Sequence, residues 1–260
     1  MSEELRMKKY QETATVLEQT EIAPEIFSLW LQTNYIAHEA KPGQFVALYS
    51  EDKSRLLPRP ISICEIEQDQ NRLRLVYRIA GCGTKEFSGL TAGDTIRLVG
   101  PLGNGFQDMG KKALLVGGGI GIPPMLEFAK QMTSEKEILL GVRDEAFMLE
   151  DFQKQGAVYL SSDTGACGVK GTVIDAILCN HLQPEVIYAC GPTPMLAALK
   201  EYAQQHHIPC YISMEEKMAC GVGACLACVC KTTSKDEHTN VHNKRICKEG
   251  PVFLADEVIL

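Results

Sequence analysis

Five of the chain's eleven cysteines fall in its last 41 residues: Cys220, Cys225, Cys228, Cys230 and Cys247. Four of them read Cys220-x4-Cys225-x2-Cys228, then 18 residues, then Cys247. A tail this short cannot bury a self-sufficient core, so something other than side-chain packing must organise it. The spacing is the plant-type iron–sulfur pattern, which holds a 2Fe–2S cluster on four thiolates. Thiolates are soft donors that suit iron. A loop that wraps bridging sulfides needs a longer first gap than a zinc knuckle. Gly221, Gly223 and Ala224 keep that loop free of bulk, so backbone N–H groups can point at sulfur. Zinc is the alternative, with Cys225-x2-Cys228 as one knuckle and His238 and His242 nearby. Unliganded, reduced thiols are a third reading. Cys230 stays outside the set because the spacing is complete without it.

The cysteine count is odd, the chain is not small, and its start, MSEELRMKKYQETATVLEQ, has no apolar stretch of the export type. A disulfide framework is therefore disfavoured, and metal or redox chemistry in a reducing, cytoplasmic setting is expected. A net charge of -7 argues against nucleic acid as the partner. No apolar run approaches the roughly 20 residues that span a bilayer.

Three regions differ in pattern. Residues 10–100 read as short strands, among them Val46–Tyr49, Leu73–Tyr77 and Thr95–Val99, punctuated by turns such as Lys41-Pro42-Gly43. This predicts an antiparallel barrel or sandwich, with one short helix over Lys85–Leu90. From 111 to 213, strands at Ala113–Val116, Ile138–Val142, Val158–Leu160 and Val186–Ala189 alternate with helices. Those helices are expected from Pro123, over Met148–Phe152, over Thr172–Leu178, and from Pro194 with Thr193 as its cap. Such alternation predicts a doubly wound parallel sheet covered on both faces. The expected division is 1–106, 107–213 and 214–260: barrel, α/β domain and small cysteine-bearing domain.

Arg59-Pro60-Ile61-Ser62 offers a guanidinium fork and a hydroxyl to a phosphate. Val76-Tyr77-Arg78 offers backbone groups, an aromatic face and a second cation. Gly81-Cys82-Gly83-Thr84 before a helix is a further anion-seeking element. Two such elements in one barrel suggest a dinucleotide such as FAD. Gly117-Gly118-Gly119-Ile120-Gly121 follows a strand and opens a helix. It does not match G-x-G-x-x-G, but its glycines can let backbone approach a pyrophosphate. Cys190-Gly191-Pro192 ends a strand, where ligands of open parallel sheets sit.

Taken together, these motifs resemble the ferredoxin–NADP reductase superfamily, and within it the electron-transfer subunits of NAD-dependent dihydroorotate dehydrogenases. The likeness covers nearly the whole chain, in the order flavin barrel, nicotinamide domain, 2Fe–2S tail. It implies FAD contacts at Arg59, Pro60, Ile61, Ser62, Val76, Tyr77, Arg78, Gly83 and Thr84. It implies cluster ligation by Cys220, Cys225, Cys228 and Cys247, with Gly117–Gly121 and Cys190 facing NAD. Many superfamily members carry R-x-Y-S; Ile61 departs from it and removes an aromatic that could stack on the flavin. The resemblance further implies an FMN-bearing catalytic partner, two copies of each subunit, and a role in pyrimidine biosynthesis. No side chain is expected to act as a catalytic acid or base. Arg143-Asp144, after the second α/β strand, pulls both ways on a 2′-phosphate. A stand-alone reductase feeding another redox protein, and a zinc-organised binding module, are the competing functions.

Overall fold

The computed structural model describes residues 8–235 and 240–260. Six strands close the barrel: β1 (Tyr10–Ala23), β2 (Ile26–Gln32), β3 (Phe45–Tyr49), β4 (Arg59–Glu67), β5 (Arg72–Arg78) and β6 (Thr95–Leu102), in the order β1-β2-β5-β4-β3-β6. Every neighbouring pair is antiparallel, and β6 returns to β1. Alternate residues fill the interior: Ala14, Val16, Leu29, Leu31, Leu73 and Leu75 are all buried. This is the period-two pattern of a half-buried strand. The short helix α1 (Ile36–Glu39) is anchored by buried Glu12, whose carboxylate accepts the N–H groups of Asn34, Tyr35 and Ile36. The second helix, α2, spans Cys82–Phe87, earlier than the Lys85–Leu90 stretch read from sequence. Thr84 causes the shift. Its hydroxyl accepts from the N–H of Ala80 and Gly81 at 2.8 and 3.2 Å, closing the first turn around Cys82–Thr84.

The second layer is a sheet of β7 (Ala113–Gly118), β8 (Lys136–Val142), β9 (Ala157–Ser162), β10 (Val169–Lys170), β11 (Val186–Cys190) and β12 (Cys210–Ser213). These six pair in parallel. Helices α3 (Pro124–Gln131) and α4 (Leu149–Gln153) cover one face, and α5 (Val173–Cys179) and α6 (Thr193–His206) the other. β7 shows why its sequence is an unbroken apolar run. Ala113 and Leu115 pack toward α3, while Leu114 and Val116 pack toward α5 and α6. Thr193 is the first helical residue of α6 rather than its cap, because Pro192 takes the extended capping conformation.

The tail forms a hairpin of β13 (Val229–Lys231) and β14 (Asn243–Arg245), then β15 (Val252–Leu254). β15 joins the α/β sheet antiparallel to β12, a seventh strand that sequence reading did not anticipate. Cys228, Cys230, Ile246, Cys247 and Phe253 share one core with Leu199 of α6, Ile212 of β12, and Ala47 and Leu102 of the barrel. Packing therefore organises more of the tail than its length suggests. Asn104 secures it: its side chain donates to the carbonyls of Glu249 and Val252 and accepts the Val252 N–H.

A polar seam locks the barrel to the sheet. Glu127 of α3, 3% exposed, accepts the Ile66 N–H of β4 at 2.8 Å. Arg74 of β5 pairs with Glu65 at 2.6 Å and with Asp151 of α4 at 3.0 Å. Glu127→Ala strands the Ile66 N–H in the interior and is expected to cost about 1–3 kcal/mol, with Glu127→Gln restoring most of it; urea unfolding of the full chain measures both. A second seam gives a pH signature. Asp108 sits at about 2: partial burial raises its pKa, and donors from Ser134, Gly110 and Thr133 outweigh that. A lowered carboxyl stabilises above its unfolded value of about 3.9, and the benefit is lost as pH falls through about 2. Asp108→Asn should therefore flatten the stability profile between those limits, as read by thermal melts across pH.

Candidate functional site

A cavity of about 990 Å³ opens between the barrel and the sheet. The ends of β4 and β5 line it with Arg59, Pro60, Ile61, Ser62, Val76, Tyr77 and Arg78, and α2 adds Thr84. Gly83 stands just behind. A Cβ there would lie 2.5 Å from Nε of Arg59, so only glycine lets the first turn of α2 back the guanidinium. Arg59 also donates to the Leu57 carbonyl, which aims its side chain along the wall. All nine barrel positions singled out from sequence thus converge on one place.

Tyr77 is the exception in role. Its ring is 2% exposed, stacks on Phe27 with centroids 5.9 Å apart, and its hydroxyl donates to Gln19. Burial raises its pKa. The aromatic face expected to meet a ligand is spent inside the barrel.

Sequence reading missed most of the opposite wall. Ser213, Met214, Glu215, Glu216, Lys217, Met218 and Pro251 line it, joined by Ile120 of the glycine-rich loop singled out from sequence. The stretch Met214–Met218 has no periodicity or spacing to mark it; it leaves the end of β12 beside Cys190, and its Met214 N–H donates to the Pro251 carbonyl. Glu215 is crowded by protein yet faces the open cavity, and that crowding raises its carboxyl pKa. The loop Ser54–Pro58 was also missed. Arg55 ties it to α2 through the Cys82 carbonyl and Glu86, leaving Leu56 and Leu57 exposed at the rim.

The glycine-rich loop sits at the carboxyl end of β7, beside Cys190 of β11. Its glycines serve mainly protein contacts. A Cβ on Gly121 would lie 2.4 Å from the Cys190 carbonyl oxygen, so the two loops interlock. Gly119 alone, at φ +52, has open space beside it. Cys190 is buried, and burial raises its thiol pKa while Ser213 hydrogen-bonds it. Arg143 and Asp144 are exposed and pair with each other at 3.6 Å.

The cysteine loop begins two residues beyond Met218 of the cavity wall. Gly221 packs on Leu102 and Ala47, and Ala47 pairs with Pro60 in the barrel wall. Four thiols lie there as two neighbouring pairs, Cys220 with Cys225 and Cys228 with Cys247. Cys228 and Cys247 are buried, whereas Cys225 is exposed. Burial would raise the Cys220 pKa, but N–H donors from Val222, Cys225 and Ala224 and the Cys225 thiol hold it at about 6. Burial and its neighbour Cys228 push Cys247 up to about 12. Among the described residues, no three His, Cys, Asp or Glu side chains converge on a single-ion site. A 2Fe–2S centre takes two thiolates per iron, and two thiol pairs with N–H donors aimed at sulfur fit it. Cys230 faces elsewhere, its Sγ 3.5 Å from the Lys244 carbonyl within the hairpin. His242 bonds Thr232 of the same hairpin, and His238 lies outside the described residues.

Comparisons with known proteins agree with this geometry. A family model for the oxidoreductase FAD-binding domain matches residues 13–106, and one for the iron-sulfur cluster binding domain of dihydroorotate dehydrogenase B matches residues 215–259. The electron transfer subunit of dihydroorotate dehydrogenase B (NAD(+)) from Enterococcus faecalis is 39% identical over 98% of this chain and 100% of its own. Its counterpart from Fusobacterium nucleatum is 41% identical over 95% of this chain and 98% of its own. A chain of the NADH-dependent reduced ferredoxin-NADP oxidoreductase superposes with a TM-score of 0.85 at 28% identity, covering 95% of this chain and 89% of that one. The two cofactor-shaped sites, joined through one barrel wall and matched along nearly the full length of these relatives, place the chain in the family of dihydroorotate dehydrogenase B electron transfer subunits.

Proposed function

We propose that this chain carries electrons from a dihydroorotate-oxidising, FMN-bearing partner to NAD⁺ in pyrimidine biosynthesis. The observation that carries the reading is the adjacency of the paired thiols and the cavity, two residues apart along the chain and packed against the same outer face of the barrel, where Ala47 beneath Gly221 is the register partner of cavity-lining Pro60. When bound, an iron–sulfur centre moves single electrons, a nicotinamide takes a hydride, and a flavin converts between the two. The chain's own residues then have positional tasks. Arg59 and Ser62 would bind the FAD pyrophosphate, with Pro60, Ile61, Val76, Tyr77, Arg78, Gly83 and Thr84 shaping the flavin wall. Cys220, Cys225, Cys228 and Cys247 would ligate the centre. Gly119 and the Cys190 turn would bound the nicotinamide side, and the Met214–Met218 strip would separate that space from solvent.

The proposed division follows 1–106, 107–213 and 214–260, although the last segment shares its core with the other two. A barrel that oxidises dihydroorotate needs about 250 residues of its own, and the relatives' naming as electron transfer subunits supports its residing on a separate subunit; a two-plus-two assembly is proposed by likeness to the family. Eleven cysteines, none of them in a disulfide, support a reducing, cytoplasmic location. Among the described residues, no helix is long and apolar enough to cross a membrane.

The test is to purify the tagged chain from its own cells without oxygen. Flavin and iron–sulfur absorption, with co-purification of an FMN protein that reduces NAD⁺ when given dihydroorotate, is expected. Co-purification of a different redox protein would favour the stand-alone reductase. Zinc without iron or sulfide would favour the binding module.

A further inference from the structure

One guanidinium joins the turn that carries Cys247 to the loop that carries the other three ligand cysteines. Arg245 ends β14, two residues before Cys247. Its Nε donates to both carboxylate oxygens of Glu249, at 3.1 and 3.0 Å, and its Nη2 donates to the same group. Glu249 also accepts the backbone N–H of Arg245 at 2.7 Å. This two-nitrogen grip fixes the guanidinium plane. Nη1 then reaches back 22 residues and donates to the Gly223 carbonyl at 3.0 Å.

That carbonyl belongs to the same peptide group as the Ala224 N–H, which donates to Sγ of Cys220 at 3.3 Å. A single planar peptide therefore carries a cation on its oxygen and a ligand sulfur on its hydrogen. The crossing is tight: Gly223 has φ +86, and a Cβ there would lie 2.9 Å from the Lys248 side chain. The turn itself is closed by the N–H groups of Lys248 and Glu249 on the Arg245 carbonyl, at 3.0 and 2.9 Å.

We propose that Arg245 is a positioning residue of the iron–sulfur centre, acting through the Gly223–Ala224 peptide on the Cys220 sulfur and raising the centre's reduction potential. The inference rests on Cys220, Cys225, Cys228 and Cys247 being the ligands. Hydrogen bonds to ligand sulfur favour the more negative, reduced state. Polarising a peptide at its oxygen strengthens its N–H as a donor. Glu249 balances the guanidinium charge at a distance, so the influence of Arg245 travels through the bond rather than through a long-range field.

The test uses the full chain, reconstituted without oxygen and titrated with reductant. The centre is followed by low-temperature paramagnetic resonance and the flavin by absorbance in the same titration. Arg245→Gln is expected to lower the midpoint of the centre and change its resonance signature, with the flavin midpoint unmoved. Arg245→Lys keeps a donor without the fork and should fall between. A Gln variant with full iron and sulfide and a wild-type midpoint overturns the proposal. If that variant does not retain the centre, Arg245→Lys decides, and an unmoved or raised midpoint there overturns the proposal. A wild-type chain with no iron–sulfur signal overturns the ligand reading instead, before any variant is compared.

Discussion

Cys228→Ser should abolish iron–sulfur absorption and cut electron flow from the partner to NAD⁺ by at least about 100-fold, while NADH still reduces a soluble dye through the flavin. The magnitude follows from the chemistry. Loss of an outer partner of a metal ligand already costs about 10- to 100-fold, and a serine hydroxyl is a hard donor that does not replace a soft thiolate. Cys228 is 2% exposed and paired with Cys247, and its carbonyl accepts the Ile246 N–H at 2.9 Å. Losing the centre should therefore loosen both segments it joins, because ligand binding supplies folding free energy in small metal sites. The sequence suggests that the whole tail would come undone. β15, held in the sheet by β12 and by Asn104, limits the loss to roughly residues 219–250. Limited proteolysis reads the extent. Cys230→Ser is the control and should keep the centre. An intact centre in Cys228→Ser, with its loss in Cys230→Ser, would reassign the ligand.

Arg59→Ala is expected to weaken FAD binding by roughly 10- to 150-fold, the range that about 1.5–3 kcal/mol for a charged hydrogen bond implies. The argument is geometric. Arg59 is held between the Leu57 carbonyl and the first turn of α2, where only glycine at 83 leaves it room. It therefore meets a phosphate with its fork already oriented, and little side-chain entropy remains to be lost. Lysine carries the charge without the fork and should recover only part of the affinity. Recovery of flavin fluorescence on dilution measures the dissociation constant, and iron content should stay unchanged. Equal affinity in wild type and Ala variant would remove Arg59 from the site. Arg55 would then be the next candidate, although Glu86 already engages it.

Much of the site was legible because its signals are local. The x4, x2 spacing is a property of one loop. Arg59–Ser62 and Val76–Arg78 are neighbouring strand ends, and strand pairing alone carries them to one cavity. The alternation of strands and helices after residue 111 announced a parallel sheet covered on both sides. What sequence reading got wrong lay where a specific hydrogen-bond or ring partner overrides residue propensity. Thr84 starts α2 three residues early by bonding the N–H groups before it. Tyr77 turns its ring inward because Gln19 and Phe27 satisfy it there.

The sequence alone determined the chemistry: which sulfurs can share a metal centre, which cation can fork onto phosphate, and which segments alternate between strand and helix. These depend on residue type and short spacing. The tertiary structure alone decided the placement. It brought β15 back to the sheet, set Met214–Met218 across from the flavin wall, interlocked Gly121 with Cys190, and joined Arg245 to Gly223. Each of those contacts links residues far apart in the chain, and their energy comes from shared burial and hydrogen bonds that no local window of sequence contains.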